Sequence, residues 1–274
     1  MYIISLTTTP ERIDFFIYSL TYFVNEVKSL PGFYKIIINI PVNYRRFKKL
    51  SLNIHSLKIL KQFKQYVELN VVDYDYGPLT KYIGAVQYLD KKSIQYCILI
   101  IDDDIQYHKE YITSLVSQAP RDFLNSGSGF NIENGYYTPS MLNYITYIEG
   151  FAGIHIPNRL INTKLQSFAE FYKCLLPHRQ RDRTDLPQEV LLGCFMGDDF
   201  VISQFYKDKL WTQNKWREEV IIQQYGLGDD ALQNNNIFGT NMGTYTFLEE
   251  NKKIFNQWIN KLNVNNEIKS IQYC

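Results

Sequence analysis

Cysteine and histidine are few and scattered in this chain. Cys97, Cys174, Cys194 and Cys274 show no Cys-x-x-Cys spacing, and His55, His108, His155 and His178 do not group with them. That pattern argues against a zinc knuckle and against a disulfide framework, and points to free thiols in a reducing compartment. An excess of charge of one sign is also missing: 29 Lys and Arg face 28 Asp and Glu, a formal charge of +1. Such a chain has no basic field to hold a polyanion, so nucleic acid is not expected as a partner. Long apolar runs are absent as well. No stretch reaches the ~18 residues needed to span a bilayer. The opening MYIISLTTTPERI has neither a basic leader nor a long apolar segment, so it reads as a first strand and not as a secretory signal. A soluble, cytoplasmic protein is the expectation.

What is present suffices for a substantial core: 274 residues, 45% of them hydrophobic, with no internal repeat and no low-complexity linker. One domain over residues 1–274 is expected. The first hundred residues alternate β-prone runs with amphipathic stretches. Strands are expected at Tyr2–Leu6, Tyr34–Ile40, Tyr66–Val72 and Gln95–Ile101, and helices at Arg12–Lys28, Tyr44–Lys64 and Thr80–Leu89. Strand alternating with helix predicts an α/β fold with a mixed, mainly parallel sheet covered by helices on both faces. The second half is less regular. Asn125–Thr138 reads as a loop or short antiparallel ribbon, and Tyr144–Ile156 as strands around Gly150 and Gly153. Lys164–Cys174, Asp198–Lys209 and Thr246–Leu262 read as helices, and Pro177–Pro187 as a surface loop.

The sharpest feature is Cys97-Ile98-Leu99-Ile100-Ile101 running into Asp102-Asp103-Asp104. Four apolar residues in succession predict a strand buried on both faces, and its carboxyl end is where ligands bind in an open α/β sheet. If strand geometry persists, Asp102 and Asp104 point to one side and Asp103 to the other. Adjacent carboxylates in a partly buried site need a cation or donors to stay ionised. A hard divalent ion, Mg²⁺ or Mn²⁺, is the economical compensation; a solvated acidic turn is the plain alternative.

Ile101-Asp102-Asp103-Asp104-Ile105 resembles the Asp-x-Asp signature of the GT-A nucleotide-sugar glycosyltransferases. Ser5-Leu6-Thr7-Thr8-Thr9-Pro10-Glu11-Arg12 is similar to the first strand and loop of such enzymes, and Asp75-Tyr76-Gly77-Pro78-Leu79-Thr80-Lys81 to the segment that closes over the base and diphosphate. The three stand in the family's order over about residues 3–105. The resemblance implies a donor half at about 1–105, an acceptor half at about 106–274, and a nucleotide-sugar donor, UDP-sugar rather than GDP-sugar. It also implies a metal held by Asp102 and Asp104, with Asp103 beside them at the donor.

Residue chemistry agrees with that assignment and leaves alternatives. Thr7, Thr8 and Thr9 offer hydroxyls at a helix N-terminus, to a nucleoside or simply as a cap. Arg12 reaches either a phosphate or a carboxylate pair. Lys81 at the first turn of a helix opposes the macrodipole and calls for an anion, which a diphosphate would supply, or is a solvated lysine on a surface helix. Asp75 and Tyr76 suit a base or ribose, or are ordinary turn residues. Glu149-Gly150-Phe151-Ala152-Gly153 resembles the acceptor-side segment, in which Gly150 and Gly153 let the donor sugar approach backbone; the glycines equally suit a bulge. In Met196-Gly197-Asp198-Asp199 two acids open a helix, and the matching family position makes Asp199 the base on the acceptor hydroxyl, with Asp198 as its substitute. The family's late histidine ligand is missing, since nothing after His178 is a histidine. Diphosphate and water would then complete the metal, with His155 or Asn241 as helpers. Gly228-Asp229-Asp230, the Arg45–Lys49 run and Arg179, Arg181 and Arg183 are surface or ligand contacts. The rival readings are a nucleotidyl- or phosphotransferase using the same acids and a non-catalytic carbohydrate-binding descendant.

Overall fold

The computed structural model describes residues 1–10, 12–44, 54–118, 120–133, 136–139, 143–161, 198–215 and 221–224. The chain opens with β1 (Tyr2–Thr7), α1 (Ile13–Val27), β2 (Phe33–Pro41), α2 (Ile54–Leu60), β3 (Val67–Val72), α3 (Thr80–Lys92) and β4 (Cys97–Ile100). It continues through β5 (Ile105–Tyr107), α4 (Lys109–Ser117), β6 (Leu124–Ser126), β7 (Gly129–Glu133), β8 (Tyr136–Pro139), β9 (Tyr147–Ile148) and β10 (Ile154–Ile156). A helix here numbered α5 (Asp198–Phe205), β11 (Leu210–Thr212) and β12 (Ile221–Gln224) follow.

One seven-stranded sheet has the order β11-β6-β10-β4-β1-β2-β3. β1 pairs in parallel with β2 and β4, β2 with β3, and β6 with β11, while β10 runs antiparallel to both β4 and β6. The expected mixed, mainly parallel α/β sheet is therefore observed. Its faces follow the two-residue period of extended chain. Ile3, Ile37, Ile98, Ile100, Ile154 and Ile156 pack with residues of α3 and α5. Ile4, Leu6, Ile36, Ile38, Leu99 and Ile101 pack with α1 and α4. α1 buries Ile13, Phe16, Leu20, Phe23, Val24 and Val27, a three-and-four spacing that lays one stripe on the sheet. α3 ends where Ser93 turns left-handed (φ 54°) and its N–H bonds the carbonyls of Leu89 and Asp90, with Lys91 and Lys92 in the last turn.

Of the expected Tyr44–Lys64 helix, α2 and a 3₁₀ turn at Lys61–Phe63 form the end, and residues 45–53 lie outside the described residues. The ribbon reading of Asn125–Thr138 holds, since β7 pairs antiparallel with β8. The helix from Asp198 stops at Phe205 and not at Lys209, because Asp208 adopts φ 67° and leaves the helical region. Lys164–Cys174, Pro177–Pro187 and Thr246–Leu262 lie outside the described residues. So do Asn241, Gly228-Asp229-Asp230, Arg45–Lys49 and the three arginines of 179–183.

A buried polar chain seats α3 on the sheet. Ser5 Oγ donates to the Lys81 carbonyl at 2.5 Å, Asn39 Nδ2 donates to Ser5 Oγ and the Leu6 carbonyl, and Asn70 Nδ2 donates to Asn39 Oδ1 and the Gly84 carbonyl. A Cβ on Gly84 would lie 2.2 Å from Asn39 Oδ1, an atom these bonds hold in place. Gly84→Ala is expected to lower unfolding free energy by about 1–3 kcal/mol through overpacking, as read from the urea midpoint, and Asn39→Ala/Gly84→Ala to recover part of the loss.

Candidate active site

Five segments meet at the carboxyl edge of the parallel strands. β4 ends at Ile100, although the Ile101 N–H still reaches the Ser5 carbonyl at 3.0 Å. The chain then turns at Asp103-Asp104. Strand alternation is lost there, so the expected pairing of Asp102 with Asp104 on one side is not what forms. Asp103 Oδ1 and Asp104 Oδ2 both converge on Arg12 Nη2, at 2.7 and 2.6 Å. Asp102 turns away to Lys81, Oδ1 to Nζ 2.6 Å. Of the two roles open to Arg12, the carboxylate pair is the one observed. Burial alone would lower the Arg12 pKa, but the charges of Asp103, Asp104 and Asp102 outweigh it and hold it above its ordinary value.

Lys81 sits in the first turn of α3, 4% exposed. Within the chain, the anions that its place against the macrodipole calls for are Asp102 and Asp198, 2.6 and 3.0 Å from Nζ. Burial opposes its charge, yet Asp102, Asp198 and Asp199 hold it well above the ordinary lysine range. Burial likewise raises Asp102, and the Lys81 ammonium overrides it and holds this carboxyl below its usual value. Asp104 is pushed up to about 6 by burial, against Arg12 and with the charges of Asp103 and Asp102. Burial also raises Asp103, in spite of Arg12.

Asp198 and Asp199 open α5, whose N-terminus favours their charge. Asp199 Oδ2 accepts from the Gly150 N–H at 2.9 Å. A Cβ on Gly150 would come 2.2 Å from Asp199 Oδ1, so this glycine admits the acid of α5. The bend that follows needs Gly153, at φ 73°. Ser203 Oγ donates to the Asp199 carbonyl and accepts from the Ile148 N–H, tying the same helix to β9. Burial and then the charge of Asp198 push Asp199 up to about 8, against Lys81 and the Gly150 N–H.

Two tyrosines escaped the sequence reading. The Tyr107 hydroxyl accepts from the Asp102 N–H at 3.2 Å and donates to the Phe151 carbonyl at 2.9 Å, and the Tyr111 hydroxyl donates to the Ala152 carbonyl. They join the acid loop to the 149–153 segment. The only cue was their two-residue and six-residue distance from the acids' flanking Ile105, which no motif marks.

The remaining expected residues divide. The Thr7 hydroxyl donates to the Asn39 carbonyl, and α1 starts without a side-chain cap, its first amides reaching the Thr9 carbonyl. The capping reading of the threonines is thereby corrected, because Pro10 and Arg12 stand between them and the helix. Thr8 and Thr9 are buried, and the Thr9 hydroxyl makes no hydrogen bond with the described residues. Asp75 is buried and its Oδ1 accepts from the Gly77 N–H, the geometry of a turn residue. Tyr76 is half-buried against the core, 5.0 Å ring to ring from Tyr74. His155 is not a helper at this site: it lies on β10 opposite Leu99 and lines a cavity with Met1, Tyr2 and Cys97 at the other edge of the sheet.

Five carboxyl groups thus face two cations. Asp102 and Asp104 stay 28% and 25% exposed, and Asp102 Oδ2 and Asp104 Oδ1 enter no ion pair among the described residues. Surplus charge and carboxylate oxygens outside the ion pairs fit a hard divalent cation. No three His, Cys, Asp or Glu side chains among the described residues converge into a closed cage, so ligand or water oxygens would have to complete its shell.

No protein-family model and no curated protein matches the sequence. Among solved structures the chain is similar to the galactosyltransferase LgtC in complex with donor and acceptor sugar analogs, at 8% identity and TM-score 0.44, over 77% of this chain and 73% of that one. It is also similar to the glycosyltransferase GlyE of Streptococcus pneumoniae TIGR4, at 10% identity and TM-score 0.39, over 77% of this chain and 44% of that one. A further similarity is to the bifunctional glycosyltransferase WbbM, at 10% identity and TM-score 0.37, over 77% and 38%. No described helix is long and apolar enough to cross a membrane.

Removing the buried cation strands its partners. Lys81→Met is expected to cost about 3–5 kcal/mol of unfolding free energy, the cost of leaving buried charge unpaired. Chemical denaturation at pH 7 checks this, with Lys81→Met/Asp102→Asn recovering part of the loss.

Proposed function

We propose that this protein is a glycosyltransferase that moves a sugar from a nucleoside-diphosphate sugar, a UDP-sugar rather than a GDP-sugar, to a hydroxyl of a carbohydrate or glycosylated acceptor. One observation carries the reading: the three motif segments near residues 5–12, 75–81 and 101–105 are linked through Arg12 and Lys81. Lys81 also joins them to Asp198, next to the proposed base. UDP is favoured on the motif resemblance.

In this reading residues 1–105 hold the donor and the later part holds the acceptor. Thr7, Thr8, Thr9, Asp75 and Tyr76 form the nucleoside side, and Gly150 and Gly153 shape the backbone near the sugar. Asp102 and Asp104 would hold Mg²⁺ or Mn²⁺, with Asp103 fixed behind them by Arg12. Such an ion supplies neutralisation of the charge that develops on the departing diphosphate. Arg12 and Lys81 hold the acids in place so that their outer oxygens face the donor. The acceptor oxygen attacks the anomeric carbon, the bond to the diphosphate oxygen breaks with its electron pair, and the acceptor proton passes to Asp199. Attack from the side of Asp199 gives inversion. Asp198, held by Lys81, raises the proton affinity of Asp199 through its charge.

A panel of nucleotide sugars with and without Mn²⁺, followed by melting temperature, tests donor binding, since a ligand bound by the native state raises the melting point. Asp104→Asn is expected to abolish transfer while the protein stays folded; full activity would remove the metal role. Pyrophosphate in place of nucleoside diphosphate among the products would favour nucleotidyl transfer.

The raised Asp199 pKa has two consequences. A carboxyl that keeps its proton to about 8 when folded and to about 4 when unfolded lends stability that is full below pH 4 and lost as pH rises to 8. As a base it must be ionised, so kcat/KM should rise with pH and level off above about 8. Asp199→Asn should abolish transfer yet melt higher than the native chain at pH 8.5, a combination that a purely structural acid would not show.

A further inference from the structure

The opposite edge of the sheet carries a second concave site. A cavity of about 560 Å³ opens beside the amino ends of β1 and β4, with Tyr2, Cys97, Val116, Arg121, His155 and Arg159 in its wall. That volume falls within the range of small-molecule sites, about 300–1,000 Å³. The acids of the proposed active site stand at the far end of β4, five residues from Cys97 and therefore about 15 Å along the strand.

The wall is basic where it is charged. Arg121 makes no ion pair among the described residues, and Arg159, paired with Asp122 at 2.8 Å, keeps a side chain 73% exposed. Among the described residues no acid lines the cavity. Behind the rim lies an unsatisfied polar pair. His155 projects from β10 on the α4 side of the sheet, since its neighbours Ile154 and Ile156 pack on the other face. It stands in register with Asn125 of β6. Asn125 Nδ2 donates to the Leu115 carbonyl at 2.7 Å, but Asn125 Oδ1 and both ring nitrogens of His155 are buried without a hydrogen-bond partner among the described residues. Buried polar atoms of native proteins are nearly always paired, and an exception calls for an explanation, a bound water or ion among them. Burial lowers the His155 pKa to about 4, so the ring is neutral at physiological pH and offers one donor and one acceptor.

We propose that this cavity binds an organic oxyanion, with the anionic head on the Arg121 and Arg159 guanidiniums and the body against Tyr2, Val116 and the His155 wall. Planar guanidinium groups match carboxylate and phosphate oxygens in geometry as well as charge. The cavity has far more room than a bare phosphate fills, and its apolar surface at Tyr2 and Val116 calls for a carbon skeleton behind the head. The site is separate from the carboxylate edge and stands whether or not the protein transfers sugars.

The test is an NMR titration of the His ring ¹⁵N signals of the full chain with phenyl phosphate, benzoate and inorganic phosphate. A saturable shift of the His155 signals with phenyl phosphate or benzoate is expected, the stronger of the two identifying the head group. Arg121→Ala/Arg159→Ala, two surface changes that spare the core, should weaken it roughly ten-fold or more. Inorganic phosphate should produce a much weaker shift. No saturable shift with either aromatic probe, equal binding of inorganic phosphate, or undiminished binding by the double variant would each overturn the proposal.

Discussion

Two cations, the buried Lys81 and the half-buried Arg12, hold together a site that would otherwise push itself apart. Asp102, Asp103, Asp104, Asp198 and Asp199 crowd one edge of the sheet, and Arg12 and Lys81 are the groups that let them stay there. Burial, and then the incomplete compensation of neighbouring carboxylates, makes Asp104 and Asp199 bind protons more tightly than ordinary carboxyls. A surplus of negative potential at the carboxyl ends of parallel strands suits a ligand that brings positive charge with it.

The fold serves that edge from both sides. α1 delivers Arg12 from one face and α3 delivers Lys81 from the other. Each cation can reach only the acids that turn toward its face, so the acid triplet splits, two carboxylates to Arg12 and one to Lys81. The Ser5-Asn39-Asn70 chain fixes the height of α3, and Gly84 lets the helix approach closely enough for Lys81 to reach Asp102. On the far side, Tyr107 and Tyr111 tie the acid loop to the 149–153 segment, and Gly150 brings Asp199 against that same backbone. A change in any of these layers alters where the acids sit without touching an acid.

Legibility in the sequence followed the strength of local patterning. β1 to β4, α1 and α3 were readable because each has a long apolar run or a helical stripe. The three-residue strands β5, β6 and β11 were not, since a period cannot be measured in three residues, and they exist through pairing with distant partners. α4 was missed although Tyr111, Ile112 and Leu115 bury one side of it, because nine residues give a stripe of three. Arg12 was read as one of two equal possibilities and Lys81 as a phosphate contact. Both depend on which carboxylates lie within 3 Å, and no local rule carries that information.

The sequence by itself determined that a buried parallel strand would end in three acids, that a helix would open with two more, and that basic residues would stand at the starts of two other helices. Those features are set by side-chain type and by periods of two and 3.6, which act over a few bonds. Only the tertiary structure decided the partners: Arg12 with Asp103 and Asp104, Lys81 between Asp102 and Asp198, Asp199 on the Gly150 amide, and His155 at the opposite edge. The reason is physical. Ion pairs and hydrogen bonds act over about 3 Å, and residues dozens to more than a hundred positions apart reach that distance only once the sheet and its helices are packed.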